Sequence, residues 1–129
     1  MATFEQGAAI PELKVTPDRF LPVRYAGASG DFNPIHTDKE YATMVGLPST
    51  ILHGLWSMAQ VARAVTDAAG GPANIESLEV QFRGMGFPEK EITVSGTVRE
   101  AGEVATLDVV AEQDGKQIIR NAVATVKNG

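Results

Sequence analysis

The stretch His53-Gly54-Leu55-Trp56-Ser57-Met58-Ala59-Gln60-Val61-Ala62-Arg63-Ala64-Val65-Thr66-Asp67-Ala68-Ala69-Gly70-Gly71-Pro72 decides how this chain folds. From 55 to 69, leaving aside Thr66, its few polar residues are Ser57, Gln60, Arg63 and Asp67, spaced three or four apart. That spacing predicts a helix with one narrow polar stripe. Leu55, Met58, Ala59, Val61, Ala62 and Val65 fill the rest, so the helix is expected to be buried on most sides. Gly70-Gly71-Pro72 ends it.

Beyond Pro72 the pattern changes to strands. Segments 75–85, 91–100, 104–112 and 116–126 are β-rich and partly alternating, as at Ile92, Val94 and Val98. Asp114-Gly115 reads as a hairpin turn, and residues 100–103 as a second turn. An antiparallel meander of four strands is expected there, packed on the apolar helix in an α+β arrangement. Before the helix the elements are short. Leu13-Lys14-Val15 reads as an edge strand. Thr16-Pro17-Asp18 reads as a helix start, with Thr16 as cap, followed by a helix over 19–28 stopped by Gly27 and Gly30. A further short helix is expected over 39–45, ending at Gly46.

With 129 residues, the chain is expected to form a single domain over 1–129. A domain of that size buries roughly two-thirds of its unfolded surface. Sixteen acidic against eleven basic residues leave a net charge of −5, which argues against a nucleic-acid partner. There is no cysteine, and two histidines alone make a poor structural zinc set, so no metal is expected. No apolar run is long enough for a membrane span, and the N-terminus lacks a secretion signal, so a cytoplasmic location and no membrane partner are expected.

The chemistry concentrates in Ser29-Gly30-Asp31-Phe32-Asn33-Pro34-Ile35-His36-Thr37-Asp38. On a continuous helix Asp31 and His36 would diverge. Pro34 disfavours a helical Asn33 and forces a turn, which can bring both side chains to one side. A carboxylate beside an imidazole can hold a water and move its protons. The plainer reading is that Asp31 caps a turn and His36 is merely polar. His53-Gly54 adds a second element: Gly54 falls at a helix start, where amides lack partners and a ligand can come close to the backbone. Such a place suits the oxygen of a polarised carbonyl.

Taken together, Tyr25-Ala26, Ser29-Gly30-Asp31, Asn33-Pro34-Ile35-His36, Asp38 and His53-Gly54 resemble the MaoC-like (R)-specific enoyl-CoA hydratase and (3R)-hydroxyacyl-ACP dehydratase family. The resemblance spans the chain and implies a hotdog fold, an antiparallel sheet wrapped around a long central helix. It implies a hydro-lyase interconverting trans-2-enoyl and (3R)-hydroxyacyl thioesters of CoA or ACP, in fatty-acid or polyhydroxyalkanoate-type metabolism, with no cofactor. Asp31, His36 and Gly54 would be catalytic, the pair on water and the Gly54 amide on the thioester carbonyl. Asn33, His53 and Ser57 would form the substrate-binding surroundings. Asn33 would support the loop, His53 would anchor it rather than carry a proton, and either Ser57 or Gln60 would face the pocket from the helix. Trp56 is expected in the core or at a subunit contact. The resemblance also implies pairing, as a homodimer or as a heterodimer with a related hotdog subunit. The segment from Phe82 to Lys90 departs from the family pattern in its glycines and in Pro88. Two alternatives stand beside this reading: a stabilising subunit of a hetero-oligomeric dehydratase, and a thioesterase on the same fold.

Overall fold

The computed structural model describes residues 2–129. Strand β1 (Leu13–Val15) is followed by helices α1 (Leu21–Ser29), α2 (Pro34–Thr37), α3 (Lys39–Met44) and α4 (Gly54–Ala69). A 3-10 turn at Pro72–Asn74 then leads into β2 (Ile75–Phe82), β3 (Ile92–Ala101), β4 (Val104–Gln113) and β5 (Lys116–Lys127). The strands form one antiparallel sheet in the order β1-β3-β4-β5-β2. The sheet curves around α4, as the hotdog arrangement requires.

The hairpins form where turn chemistry placed them. Asp114 and Gly115 both take positive φ, 52° and 74°, the conformation a two-residue hairpin turn needs. Thus β3, β4 and β5 are a true meander. The expected four-strand meander is overturned at β2, which pairs with β5 rather than β3, for example Leu78 opposite Ala124. The long connection over residues 83–91 is the reason, since it lets the chain cross to the opposite side of the sheet. Gly84 and Gly86 let this crossing pack closely on its neighbours: a Cβ on Gly84 would meet the Gln117 carbonyl at 2.8 Å, and one on Gly86 the Leu52 side chain at 2.9 Å.

The core lies between α4 and the inner face of the sheet. Val61, Ala64 and Val65 meet Val94, Val98, Leu107, Val109, Ile119, Ala122, Ala124 and Val126. Small residues on both surfaces let the helix approach closely. Trp56 packs at the margin of this core, as expected. The polar stripe of α4, however, does not coincide with its exposed face. Ser57 and Gln60 are buried, while Leu55 is 62% exposed and Ala59 is exposed as well. At 100° per residue, positions 57, 60, 61, 64 and 65 share the face turned to the sheet. The stripe straddles its border, and only Arg63 and Asp67 lie on the outside.

The helix start expected at Thr16-Pro17 is also overturned. Asp18 accepts a hydrogen bond from the Phe20 amide at 2.8 Å and clasps the Arg24 guanidinium, so the chain turns there. The Arg24 partner holds the Asp18 carboxyl below its ordinary pKa range. Helix α1 begins at Leu21 with Pro22 in its first turn, where a missing amide costs nothing. Gly27 lies inside this helix, and Gly30 alone ends it at φ 78°.

Candidate active site

A succession of side-chain caps shapes the loop from Ser29 to Asp38. Ser29 Oγ accepts from the Asp31 amide, Asp31 Oδ1 from the Asn33 amide, and Asn33 Oδ1 from the Ile35 amide, each at 3.2 Å. Asp38 then takes the amides of Glu40 and Tyr41 at the start of α3. Each acceptor is a short polar residue, the type that competes with regular structure for backbone donors. Asn33 is extended at ψ 126°, as the following proline requires, and Pro34 opens α2. The turn expected at Pro34 is therefore a short helix capped by Asn33.

This geometry brings Asp31 and His36 together. His36 is buried, and its Nδ1–H donates to the Ile51 carbonyl at 2.8 Å. The Ile51 amide in turn donates to the Ile35 carbonyl at 3.1 Å, tying α2 to the segment that precedes α4. With Nδ1 so engaged, His36 Nε2 faces the Asp31 carboxylate, whose Oδ2 lies 3.7 Å away. That is too long for a direct hydrogen bond and suits a water taken up by both groups. The Asp31 side chain remains half exposed.

His53 and Gly54 form the opposite wall. Gly54 is the first residue of α4, and no side chain caps the helix there. Its leading amides are therefore directed outward with the positive end of the helix dipole. A Cβ on Gly54 would meet the Phe82 ring at 3.1 Å. His53 is buried, its Nε2–H donates to the Asp31 carbonyl at 3.0 Å, and its ring stacks on His36 with centroids 3.8 Å apart. Asp31, His53, Gly54, Leu55 and Phe82 line a hollow of about 220 Å³. Asn33, His36 and Ser57 are not among its lining residues: Asn33 shapes the loop from behind, His36 is buried behind Asp31 and His53, and Ser57 is buried within α4. Gln60 donates to the Trp56 carbonyl inside the same helix. Leu55 and Phe82 are walls that the sequence reading did not single out. Leu55 read as core, and Phe82 as a strand residue opening the segment that departs from the family pattern.

Ligand atoms of Asp31, His36 and His53 all lie within 4.8 Å of one another, close enough to raise the question of a metal. The two rings are only 18° from parallel, so their in-plane lone pairs run side by side instead of converging on one ion. The His53 Nε2 is also engaged with Asp31. The set fits a hydrogen-bonded water better than a cation. A larger trough of about 550 Å³ crosses the outer face of β3, β4 and β5, and its carboxylate at Asp108 is already paired with Arg99. Among the described residues no helix is long and apolar enough to cross a membrane.

Comparison with known proteins gives a consistent result. The family model for the MaoC like domain matches residues 4–126. Enoyl-CoA hydratase ChsH3 of Mycobacterium tuberculosis is 30% identical over 122 residues, which are 90% of this chain and 41% of that protein. The 3-hydroxyacyl-thioester dehydratase Y of the same organism is 36% identical over 92 residues, 69% of this chain and 32% of that protein. The chain thus spans less than half the length of these two relatives. Among solved structures, a chain of the ChsH1-ChsH2 complex from Mycobacterium tuberculosis superposes with a TM-score of 0.84 at 28% identity, covering 96% of this chain and 98% of that one.

Proposed function

Because the chain belongs to the MaoC-like domain family, we propose that it is an (R)-specific hydro-lyase interconverting trans-2-enoyl and (3R)-hydroxyacyl thioesters of CoA or ACP. The observation that carries the reading is the 3.7 Å gap between His36 Nε2 and Asp31 Oδ2, with Asp31 also lining the hollow beside the start of α4. A water there would donate to both groups. In hydration its proton passes to His36 Nε2 while its oxygen bonds to C3 of the enoyl group. The C2–C3 π pair moves to C2, and charge builds on the thioester oxygen. The Gly54 amide and the α4 dipole stabilise that charge, which falls where preorganised donors contribute most. Return of the proton to C2 completes the addition of water, and the reverse sequence dehydrates. In this reading Asp31, His36 and Gly54 are catalytic. Asn33 and His53 hold the loop. Ser57 enters only as a support behind the helix start.

The partner side of the proposal is a second hotdog subunit, identical or related. The exposed Leu55 beside Phe82 supports this, since both are apolar and at the mouth of the hollow. A cytoplasmic location belongs to the same reading, and cell fractionation tests it. The decisive experiment follows enoyl-thioester absorbance with crotonyl-CoA and longer CoA and ACP substrates. Wild type should turn over and Asp31→Asn should lose most of that activity; full hydration by that variant ends the assignment. Turnover only after a related subunit is added would point to the hetero-oligomer. Release of free thiol in place of hydration would point to a thioesterase.

A further inference from the structure

We propose that His53 is a positioning residue that sets the Asp31–His36 gap through two separate contacts. The inference rests on the hydratase reading only for its kinetic arm. His53 occupies the cap position of α4 yet supplies no capping bond. Ser, Thr, Asp or Asn would satisfy the helix better there. It is also 3% exposed, and its Nδ1 has no hydrogen-bond partner among the described residues. A buried, unsatisfied ring nitrogen is a cost that folds ordinarily avoid.

The compensation lies on the side of the catalytic pair. The His53 Nε2–H holds the Asp31 carbonyl. That carbonyl belongs to a stretch between the left-handed Gly30 and the exposed Phe32 that has no strand or helix to fix it. The His53 ring covers one face of His36 in a near-parallel stack. Tyr25 of α1 backs His53 at a centroid distance of 4.8 Å. One residue therefore fixes the backbone of the acid and the plane of the imidazole. The hydrogen bonds also assign opposite tautomers, Nδ1–H on His36 and Nε2–H on His53, because each ring donates to a carbonyl.

Two substitutions separate the contacts. His53→Phe keeps a ring for the stack and loses the donor, whereas His53→Gln keeps an amide donor and loses the ring. Each should lower kcat about 10- to 100-fold with KM within about two-fold, the size expected when reacting groups shift by a fraction of an ångström. Combined with Asp31→Asn, neither should add to the loss from Asp31→Asn alone, since His53 acts through that pair. A tenfold rise in KM at constant kcat, or fully additive losses, would overturn the proposal in favour of direct substrate contact or general destabilisation. The readout that needs no activity is the long-range ¹H–¹⁵N spectrum of the imidazoles. Wild type should show the two opposite tautomers; in both variants the His36 Nε2 resonance should shift while its Nδ1–H tautomer persists, held by the Ile51 carbonyl. A wild-type His53 carrying Nδ1–H, or a His36 spectrum indifferent to both substitutions, removes the basis of the inference. Expected spectra without any hydration, even with a related subunit added, would leave His53 as a positioner and refute the hydratase reading instead.

Discussion

Between Ser29 and Gly54 the backbone is held by side chains that accept from nearby amides and by two histidines that reach for carbonyls. Between Ile92 and Lys127 it is held by strand ladders over a buried apolar face. The first region leaves Asp31 half exposed and Phe32 64% exposed, and of its apolar residues buries only Ala42, Ile51 and Leu52. The second buries Leu107, Ile119, Ala124 and Val126 completely. The loop is shaped by polar residues whose other atoms stay free for chemistry. The sheet is shaped by residues with no chemistry to offer. Substitutions in the two regions should therefore separate activity from stability.

The widest separation is between Asp31→Asn and Leu107→Ala. The first removes the carboxylate but keeps an oxygen that can accept from the Asn33 amide. Hydration should fall about 10²- to 10⁴-fold, the usual share of a positioned acid or base, while the thermal midpoint barely moves. Leu107→Ala opens a cavity in a fully buried site and should cost about 2–5 kcal/mol of stability. In urea at a temperature where it remains folded, its kcat should match wild type. A large loss of stability in the first variant, or of kcat in folded protein of the second, would break the division.

Gly54→Ala probes the seam between the regions. Gly54 has no positive φ, and alanine is the better helix former by about 1 kcal/mol. The added Cβ would nevertheless press on the Phe82 ring at 3.1 Å, in the wall of the hollow. Activity should drop about tenfold through the displaced ring and narrowed approach to the helix amides, with stability held or raised. Asn33→Ala reverses the pattern on a smaller scale. It removes the cap of α2 and should cost about 1 kcal/mol, together with a modest fall in kcat as the loop loosens. Chemical denaturation and initial rates on the same preparations read both.

What the residue pattern could foretell follows the same division. Strand alternation, the Asp114-Gly115 hairpin and the apolar helix are local signals, and each element appeared within a few residues of its expected place. The position of β2 beside β5 is not local: it depends on how residues 83–91 cross the molecule, and periodicity carries no information about that. The α4 stripe misled for a related reason, because Ser57 and Gln60 lie on the border that the sheet covers. In the site, Pro34 was enough to show that Asp31 and His36 need not diverge. The stack of His36 on His53 was invisible, since it joins residues from opposite ends of a 17-residue interval through α2 and the start of α4. Phe82 was invisible too, because its contact with Gly54 comes only from the curvature of the sheet around the helix.

The smallest predicted effect compares Asp31 with another acid of the same chain. Asp108 on β4 meets Arg99 diagonally across on β3, with the guanidinium bonding both carboxylate oxygens. That hydrogen bond, more than the accompanying charge attraction, holds the Asp108 carboxyl below its ordinary range against a small opposing cost of burial. A carboxyl depressed in the folded state stabilises the fold above its unfolded pKa, and the contribution is lost as pH falls through the lower folded value. Both side chains are about half exposed, so solvent screening reduces the pair to a few tenths of a kcal/mol. Asp108→Asn should be slightly less stable than wild type at pH 7, and the difference should shrink toward zero as pH falls below the ordinary carboxylate range and through the lowered folded value. Hydration activity should be unchanged throughout, since the pair sits on the outer face of the sheet. A stability gap that persists in acid would mean that Asp108 supports the sheet by shape rather than by charge. A change in kcat would mean that the outer face communicates with the loop, and the separation between the two regions would then be incomplete.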